Sequence, residues 1–163
     1  TSLLRYYLRY KVAELAAKGV RIRIIGDLSR FAPDVRAEAR RAELETASNT
    51  VLTVVLALSY GGRADIMQAA LRMAKAVQDG TLAPGQIDED IFGGFLMTAD
   101  MPDPDIVVRT SGESRLSNFL LWQSAYAELI FIETLWPDFD AGHFDAVLQS
   151  YSRRERRFGA RPG

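Results

Sequence analysis

Apolar positions along the chain change period repeatedly, and each change marks an element. In residues 2–18, Leu4, Leu8, Val12, Leu15 and Ala16 recur at helical spacing, and Gly19 supplies a C-cap. Val20–Ile25 reads as a strand with Arg21 and Arg23 on one face. Gly26–Phe31 is a loop at its end, and Pro33-Asp34 opens a helix over 34–47 whose mixed charges describe a solvated face. Thr50–Leu58 is nearly continuous apolar and β-branched, the pattern of a strand buried on both faces of a parallel sheet. Tyr60-Gly61-Gly62-Arg63 turns into a helix over 64–78, which Asp79-Gly80 ends. A Pro84-Gly85 loop, a short helix over Asp88–Phe95 and a Pro/Asp loop over Ala99–Pro104 lead into a strand at 105–109. Ser117 and Asn118 look like a helix start before Phe119–Trp122, and Leu129–Ile132 is a short strand closed by Pro137-Asp138. A last helix runs from Asp140 or Gly142 to about Arg157, followed by a loose tail, Gly159–Gly163. Strand and helix alternate throughout, without repeat or linker. The expected fold is α/β, a parallel central sheet flanked by helices, in one domain over 1–163.

Composition narrows the classes. The 163 residues suit one domain with a real core, and 48% hydrophobic with 25% charged residues is an ordinary globular mixture. A net charge of -1 argues against general nucleic-acid binding, which needs a basic face. With no cysteine, disulfides, thiolate zinc sites and cysteine nucleophiles are excluded. The one histidine, His143, has no G-x-S-x-G elbow to serve and reads as a helix-surface residue. No apolar run approaches the roughly 20 residues of a membrane-spanning helix, and no signal peptide is visible, so the expected location is cytoplasmic.

Candidate chemistry concentrates in Asp105–Asp138. The strand run Ile106-Val107-Val108 ends in Arg109, followed by Thr110-Ser111-Gly112-Glu113-Ser114 and a second arginine, Arg115. Ligands of open α/β sheets bind at the carboxyl ends of strands. Two guanidinium forks there, near a free helix N-terminus, would suit a phosphate. A nearby carboxylate could hold Mg²⁺ against that phosphate. The alternative is that both arginines are solvated loop residues paired to Glu113 and Asp105, and pattern alone leaves the two readings open.

Longer motifs carry more. R-T-S-G-E-S-R-L-S-N-F-L-L-W-Q-S-A-Y-A-E-L (109–129) and L-W-P-D-F (135–139) resemble the signature of the cis-prenyltransferases, the family of bacterial undecaprenyl diphosphate synthase. So do R-I-R-I-I-G-D-L-S-R-F (21–31), L-S-Y-G-G-R-A-D-I (58–66) and R-R-E-R-R-F-G (153–159), in order along the chain. The resemblance implies condensation of isopentenyl diphosphate with an allylic prenyl diphosphate, assisted by Mg²⁺, in a homodimer. It implies a long-chain polyprenyl diphosphate of the lipid-carrier type as product. An enzyme that makes lipid could also touch the membrane surface transiently.

By the same resemblance, Arg109, Arg115 and Ser117 match the residues that grip isopentenyl diphosphate, and Glu128 matches an acid that holds Mg²⁺. Arg157 and Gly159 match a C-terminal R-x-G that reaches into the partner's site; without the match, the arginines of 153–157 are a basic helix end favoured by the macrodipole. Asp105 and Glu113 are expected to orient the arginines, and Gly61 and Gly62 to permit a tight strand-to-helix turn. Arg63 would reach phosphate or pair with Asp65, and Leu52 would lie near the floor of a tunnel for the growing chain, unless it is a core residue. Trp122, Tyr126 and Trp136 are read as core. Ser114 stands where many relatives have histidine, which removes a proton role there. The family's D-G-N-x-R-W loop, whose aspartate is essential for catalysis, has no counterpart in these residues, and Thr1 is not an initiator methionine. The expectation is therefore a C-terminal two-thirds of such an enzyme, inactive alone. The alternative is a catalytically silent diphosphate-binding subunit that stabilises a partner. A flavodoxin-like nucleotide binder is disfavoured, because no glycine-rich fingerprint follows the first strand.

Overall fold

A computed structural model describes residues 2–153, which fall into two compact units divided between Thr98 and Ala99. The first unit contains α1 (Ser2–Ala17), β1 (Val20–Ile25), α2 (Pro33–Thr46), β2 (Leu52–Ala57), α3 (Gly62–Gln78) and α4 (Glu89–Gly93). Local signals set these bounds. Gly19, with φ of +74°, turns the chain out of α1. Pro33 stands in the first turn of α2, where its missing N–H costs nothing. The Asp88 carboxylate caps α4 by accepting from the Ile91 N–H.

β1 and β2 pair in parallel, from Val20 opposite Leu52 to Ile25 opposite Ala57. The core lies where α1 and α2 cover this pair: Leu8 and Val12 of α1, Ile22 of β1, and Val35, Ala39 and Ala42 of α2 are all buried. The other edge of β1 is closed by side chains of α2 and of Asn49, three residues beyond it. Ile22 N–H donates to Thr46 Oγ1 (2.9 Å) and Ile24 N–H to Glu43 Oε1 (2.8 Å), while Asn49 Nδ2 donates to the Val20 carbonyl (2.9 Å). Backbone groups that would otherwise be buried unpaired are thereby satisfied.

Two expectations for this unit change. β2 is not buried on both faces: Leu52 is 56% exposed, and Thr53, Val55 and Ala57 are exposed as well. Only β1 pairs with β2 among the described residues, and α1 and α2 fill one side. The second concerns how the turn at Gly61-Gly62 into α3 is made. Gly61 caps that helix with an extended φ of -151°, and the left-handed residue of the turn is Ser59 (φ 51°).

The second unit contains β3 (Ile106–Arg109), β4 (Glu128–Phe131) and α5 (Ala141–Ser152). β3 and β4 are parallel, with Ile106 opposite Glu128 and Arg109 opposite Phe131. The strand expected at Leu129–Ile132 therefore begins one residue earlier. α5 opens with a cap in which Asp140 Oδ1 accepts from the His143 N–H (3.0 Å) and lies 2.7 Å from His143 Nδ1. The expected extension of α5 to Arg157 runs beyond the described residues. The helix expected from Ser117 does not form; residues 117–126 are a series of turns. Ser117 (φ 50°), Asn118 (φ 65°) and Leu120 (φ 44°) lie in the left-handed region, which a right-handed helix excludes. Apolar content at 119–122 suggested a helix, and backbone handedness decides against it. No helix among the described residues is long and apolar enough to cross a membrane.

Candidate functional site

The carboxyl end of β3 opens into a cleft of about 310 Å³. Its walls are Val107 to Thr110, Arg115, Leu116, Phe119 and Trp136. Both arginines singled out from the sequence thus face one space, as strand-end geometry favours. Arg109 is half-buried, and among the described residues its side chain has no hydrogen bond or ion pair. A guanidinium partly removed from water with five unmatched donors is poised for an anion. Arg115 is 69% exposed and pairs with Glu113 at 2.6 Å. That pair fits both the orienting role and the solvated-loop alternative for Arg115, and among the described residues Glu113 makes no ion pair with Arg109.

The segment that follows Arg109, as far as Leu120, is strained and anchored. Four of the five non-glycine residues with positive φ among the described residues lie between 111 and 120. Such conformations cost about 1–3 kcal/mol each and collect at functional sites. The Ser111 N–H donates to the Thr134 carbonyl (2.9 Å) and the Gly112 N–H to the Ile132 carbonyl (3.0 Å), so the loop continues the β3–β4 pairing. Gly112 has φ of +66°, and a β-carbon there would stand 2.8 Å from Glu133 Oε2. This geometry corrects the expected phosphate cradle. No helix N-terminus forms at 117–118, and the N–H groups of Ser111 and Gly112 are consumed within the fold. An anion in this cleft would be met chiefly by guanidinium groups.

Other candidate residues lie elsewhere. Ser117 is exposed and outside the cleft lining. Glu128 is half-buried at the start of β4, its N–H bonded to the Asp105 carbonyl (2.9 Å), opposite Ile106. It is three positions from the residue that faces Arg109, or roughly 10 Å along the strand. Gly61, Gly62, Arg63 and Leu52 belong to the first unit. Arg157 and Gly159 lie outside the described residues.

Four residues stand otherwise than the sequence suggests. Trp136, taken as core, is 70% exposed, stacks on Phe139 at 5.6 Å and lines the cleft; Tyr126 is 76% exposed and not core either. Glu133 packs on the Gly112 turn. In the first unit, fully buried Asp65 accepts from the Tyr60 hydroxyl and the Met97 N–H, each at 2.9 Å, tying the start of α3 to the segment after α4. The Pro after Trp136, which stands in the first turn of a short 3-10 helix, is the one usable signal among these.

Residues 1–159 match the model of the prenyltransferase family of undecaprenyl diphosphate synthases. The chain belongs to that family. It is 52% identical over 149 residues to a (2E,6E)-farnesyl-diphosphate-specific ditrans,polycis-undecaprenyl-diphosphate synthase of Xanthomonas axonopodis pv. citri, covering 91% of this chain and 58% of the relative. With an isoprenyl transferase of Agrobacterium fabrum it shares 46% over 158 residues, 97% of this chain and 64% of the relative. The chain thus spans about three-fifths of the length of these curated relatives. Lavandulyl diphosphate synthase of Lavandula x intermedia, solved with dimethylallyl diphosphate, superposes with a TM-score of 0.93 at 38% identity, covering 97% of this chain and 69% of that one. A probable undecaprenyl diphosphate synthase of Campylobacter jejuni gives 0.84 at 37% identity, covering 97% and 72%. The α/β fold with parallel strands is that of the family.

Proposed function

We propose that the protein is a cis-prenyltransferase that condenses isopentenyl diphosphate with an allylic prenyl diphosphate to build a long polyprenyl diphosphate. The observation that carries the reading is the half-buried Arg109, without a side-chain partner among the described residues, in one cleft with Arg115 at the end of a parallel strand. The relatives' names supply the substrate class. In such a reaction the allylic C–O bond breaks, the isopentenyl double bond attacks the carbon released, and a proton is lost to leave a cis alkene. Diphosphate departs with the bonding electrons, so fixed cations must lie where that charge develops. Arg109 and Arg115 would hold the isopentenyl diphosphate, with Ser117 at the margin.

Among the described residues no three metal-ligating side chains gather. Mg²⁺ is commonly held by one or two carboxylates with substrate phosphates and water, so the donor set fits one ligand from this chain and not a complete cage. Glu128 would be that ligand, and Mg²⁺ would neutralise phosphate charge. Glu128 begins β4 opposite Ile106, whereas Arg109 ends β3. Homodimerisation through Arg157 and Gly159, and a cytoplasmic location, belong to the same proposal.

The test uses an enzyme carrying the family's D-G-N-x-R-W segment together with residues 1–163. Arg109→Ala and Arg115→Ala should each raise the KM for isopentenyl diphosphate by about tenfold or more, since a charge-assisted contact is worth roughly 1.5–3 kcal/mol. Normal kinetics in both variants refute the site. Residues 1–163 alone should bind inorganic diphosphate in calorimetry without turnover. Binding without turnover even in the extended chain would favour the silent-subunit reading.

A further inference from the structure

Trp136 is the residue of the arginine cleft whose position an anion does not explain. A site for phosphate alone needs cations and N–H donors. Here, apart from Arg109, Arg115 and Thr110, the walls are apolar, and they include the rings of Phe119 and Trp136. Trp136 is 70% exposed. An indole left that open forfeits most of the stabilisation that its burial would give.

The ring is nevertheless fixed. It leads the 3-10 helix Trp136–Asp138, and the Trp136 carbonyl accepts from the Phe139 N–H at 3.2 Å. Its face stacks on Phe139, with centroids 5.6 Å apart and planes 9° from parallel. Phe139 is half-buried and leans in turn on the His143 ring at 5.9 Å, in the first turn of α5. One face of the indole is thus spent on the fold, while most of the ring stays open. A surface aromatic held in this way loses little freedom when a ligand covers it.

Size and chemistry limit what that ligand is. About 310 Å³ is the small end of the roughly 300–1,000 Å³ of ligand pockets, space for a diphosphate and a short tail. A ligand anchored at its anionic end by Arg109 and Arg115 would lay such a tail along the apolar walls. In the reaction proposed above, the small diphosphate is isopentenyl diphosphate, whose tail is short, branched and without a hydrogen-bonding group. The same reaction releases inorganic diphosphate, which presents the anion without the tail.

We propose that Trp136 is the specificity-determining residue of this cleft: its ring covers the hydrocarbon of isopentenyl diphosphate, so that the cleft takes this substrate in preference to free diphosphate. The arginines alone cannot make that distinction, because both ligands offer them the same kind of charged end. The inference rests on the proposed reaction and its arginine site, and adds the group that tells substrate from product.

The test is titration calorimetry of the full-length protein, with isopentenyl diphosphate measured directly and inorganic diphosphate measured as its competitor. Trp136→Ala should weaken isopentenyl diphosphate about tenfold and inorganic diphosphate less than about twofold. Trp136→Phe, which keeps a ring on Phe139, should stay within about threefold of the parent for both. In turnover, Trp136→Ala should raise the KM for isopentenyl diphosphate and leave kcat little changed. Arg109→Ala should weaken both ligands alike; if it weakens neither, the arginine site falls and this inference with it. If Arg109→Ala behaves as expected but Trp136→Ala weakens both ligands equally, or neither, the ring serves the fold or a protein partner and the proposal is overturned. Trp136 is mostly exposed, so melting temperatures should hold; should Trp136→Ala unfold, Trp136→Gln, which keeps bulk without the aromatic face, decides by the same two titrations.

Discussion

Gly26 ends β1 with φ of +109°, and an added β-carbon would stand 2.1 Å from the Leu58 carbonyl oxygen, 2.9 Å from its carbon and 3.0 Å from the Tyr60 nitrogen. All three atoms are backbone. Gly80 is a matched control, with φ of +73° and nothing within 4 Å of its virtual β-carbon. Alanine at either position meets left-handed strain of about 1–2 kcal/mol, partly offset by about 0.4–1 kcal/mol from a less free unfolded chain. Gly80→Ala should therefore cost about 1 kcal/mol or less. At Gly26 no side chain can rotate away, so the strand ends must part. That endangers two hydrogen bonds, Leu58 N–H to Ile25 (2.8 Å) and Asp27 N–H to Ser59 (3.3 Å). At roughly 1 kcal/mol each, they bring the expected loss for Gly26→Ala to about 3 kcal/mol or more. Urea unfolding followed by circular dichroism gives both values on one scale. If the two variants differ by less than about 1 kcal/mol, the contact with Leu58 is soft and the argument fails.

Three further outcomes follow from the geometry. Asp65→Ala removes the buried carboxylate that accepts from both the Tyr60 hydroxyl and the Met97 N–H and should cost roughly 2–5 kcal/mol in denaturant unfolding, whereas Tyr60→Phe should cost about 1 kcal/mol; equal costs would argue against a shared acceptor. Leu52→Ala should change stability by less than about 1 kcal/mol, because the residue is exposed, and in the extended enzyme it should lengthen the polyprenols seen on a gel; a melting loss typical of a core position, with unchanged lengths, refutes the tunnel role. The Asp140 carboxyl is held below its ordinary 3.8 by the His143 N–H and then by the His143 ring, so its support of α5 is full above about pH 4 and lost as pH falls through the lowered value; Asp140→Ala should flatten that acid limb of the melting curve, and an unchanged limb would place the titration elsewhere.

Elements governed by local chemistry were legible in the sequence. Gly19, Pro33, Asp88 and Asp140 mark helix ends because each acts on its own backbone or the next turn. Arg109 was legible as a strand-end cation for the same reason, and Arg115 followed from the short loop. What was not legible depends on partners distant in sequence. The exposure of Leu52 reflects which strands flank β2, and an apolar run cannot report that. Residues 117–122 have the composition of a helix start, but the anchoring of Ser111 and Gly112 to residues 132–134 belongs to a path that turns left-handed instead. In the sequence Asp65 stands only as a possible partner of Arg63, and nothing local announces that its two oxygens accept from a tyrosine five residues back and an amide 32 residues ahead.

The side chains along β1 also give the first sheet a direction of growth. With Thr46 and Glu43 holding the outward amides of Ile22 and Ile24, that margin is chemically finished, and a strand arriving there would find its donors taken. The far margin of β2 carries no such cover from another strand among the described residues. Any polypeptide that joins this sheet, whether in folding or in unwanted association, has one place to add, beside Leu52–Ala57. A charge placed at Thr53 or Val55 should therefore act on association at that margin, while leaving the α1–α2 side of the molecule untouched.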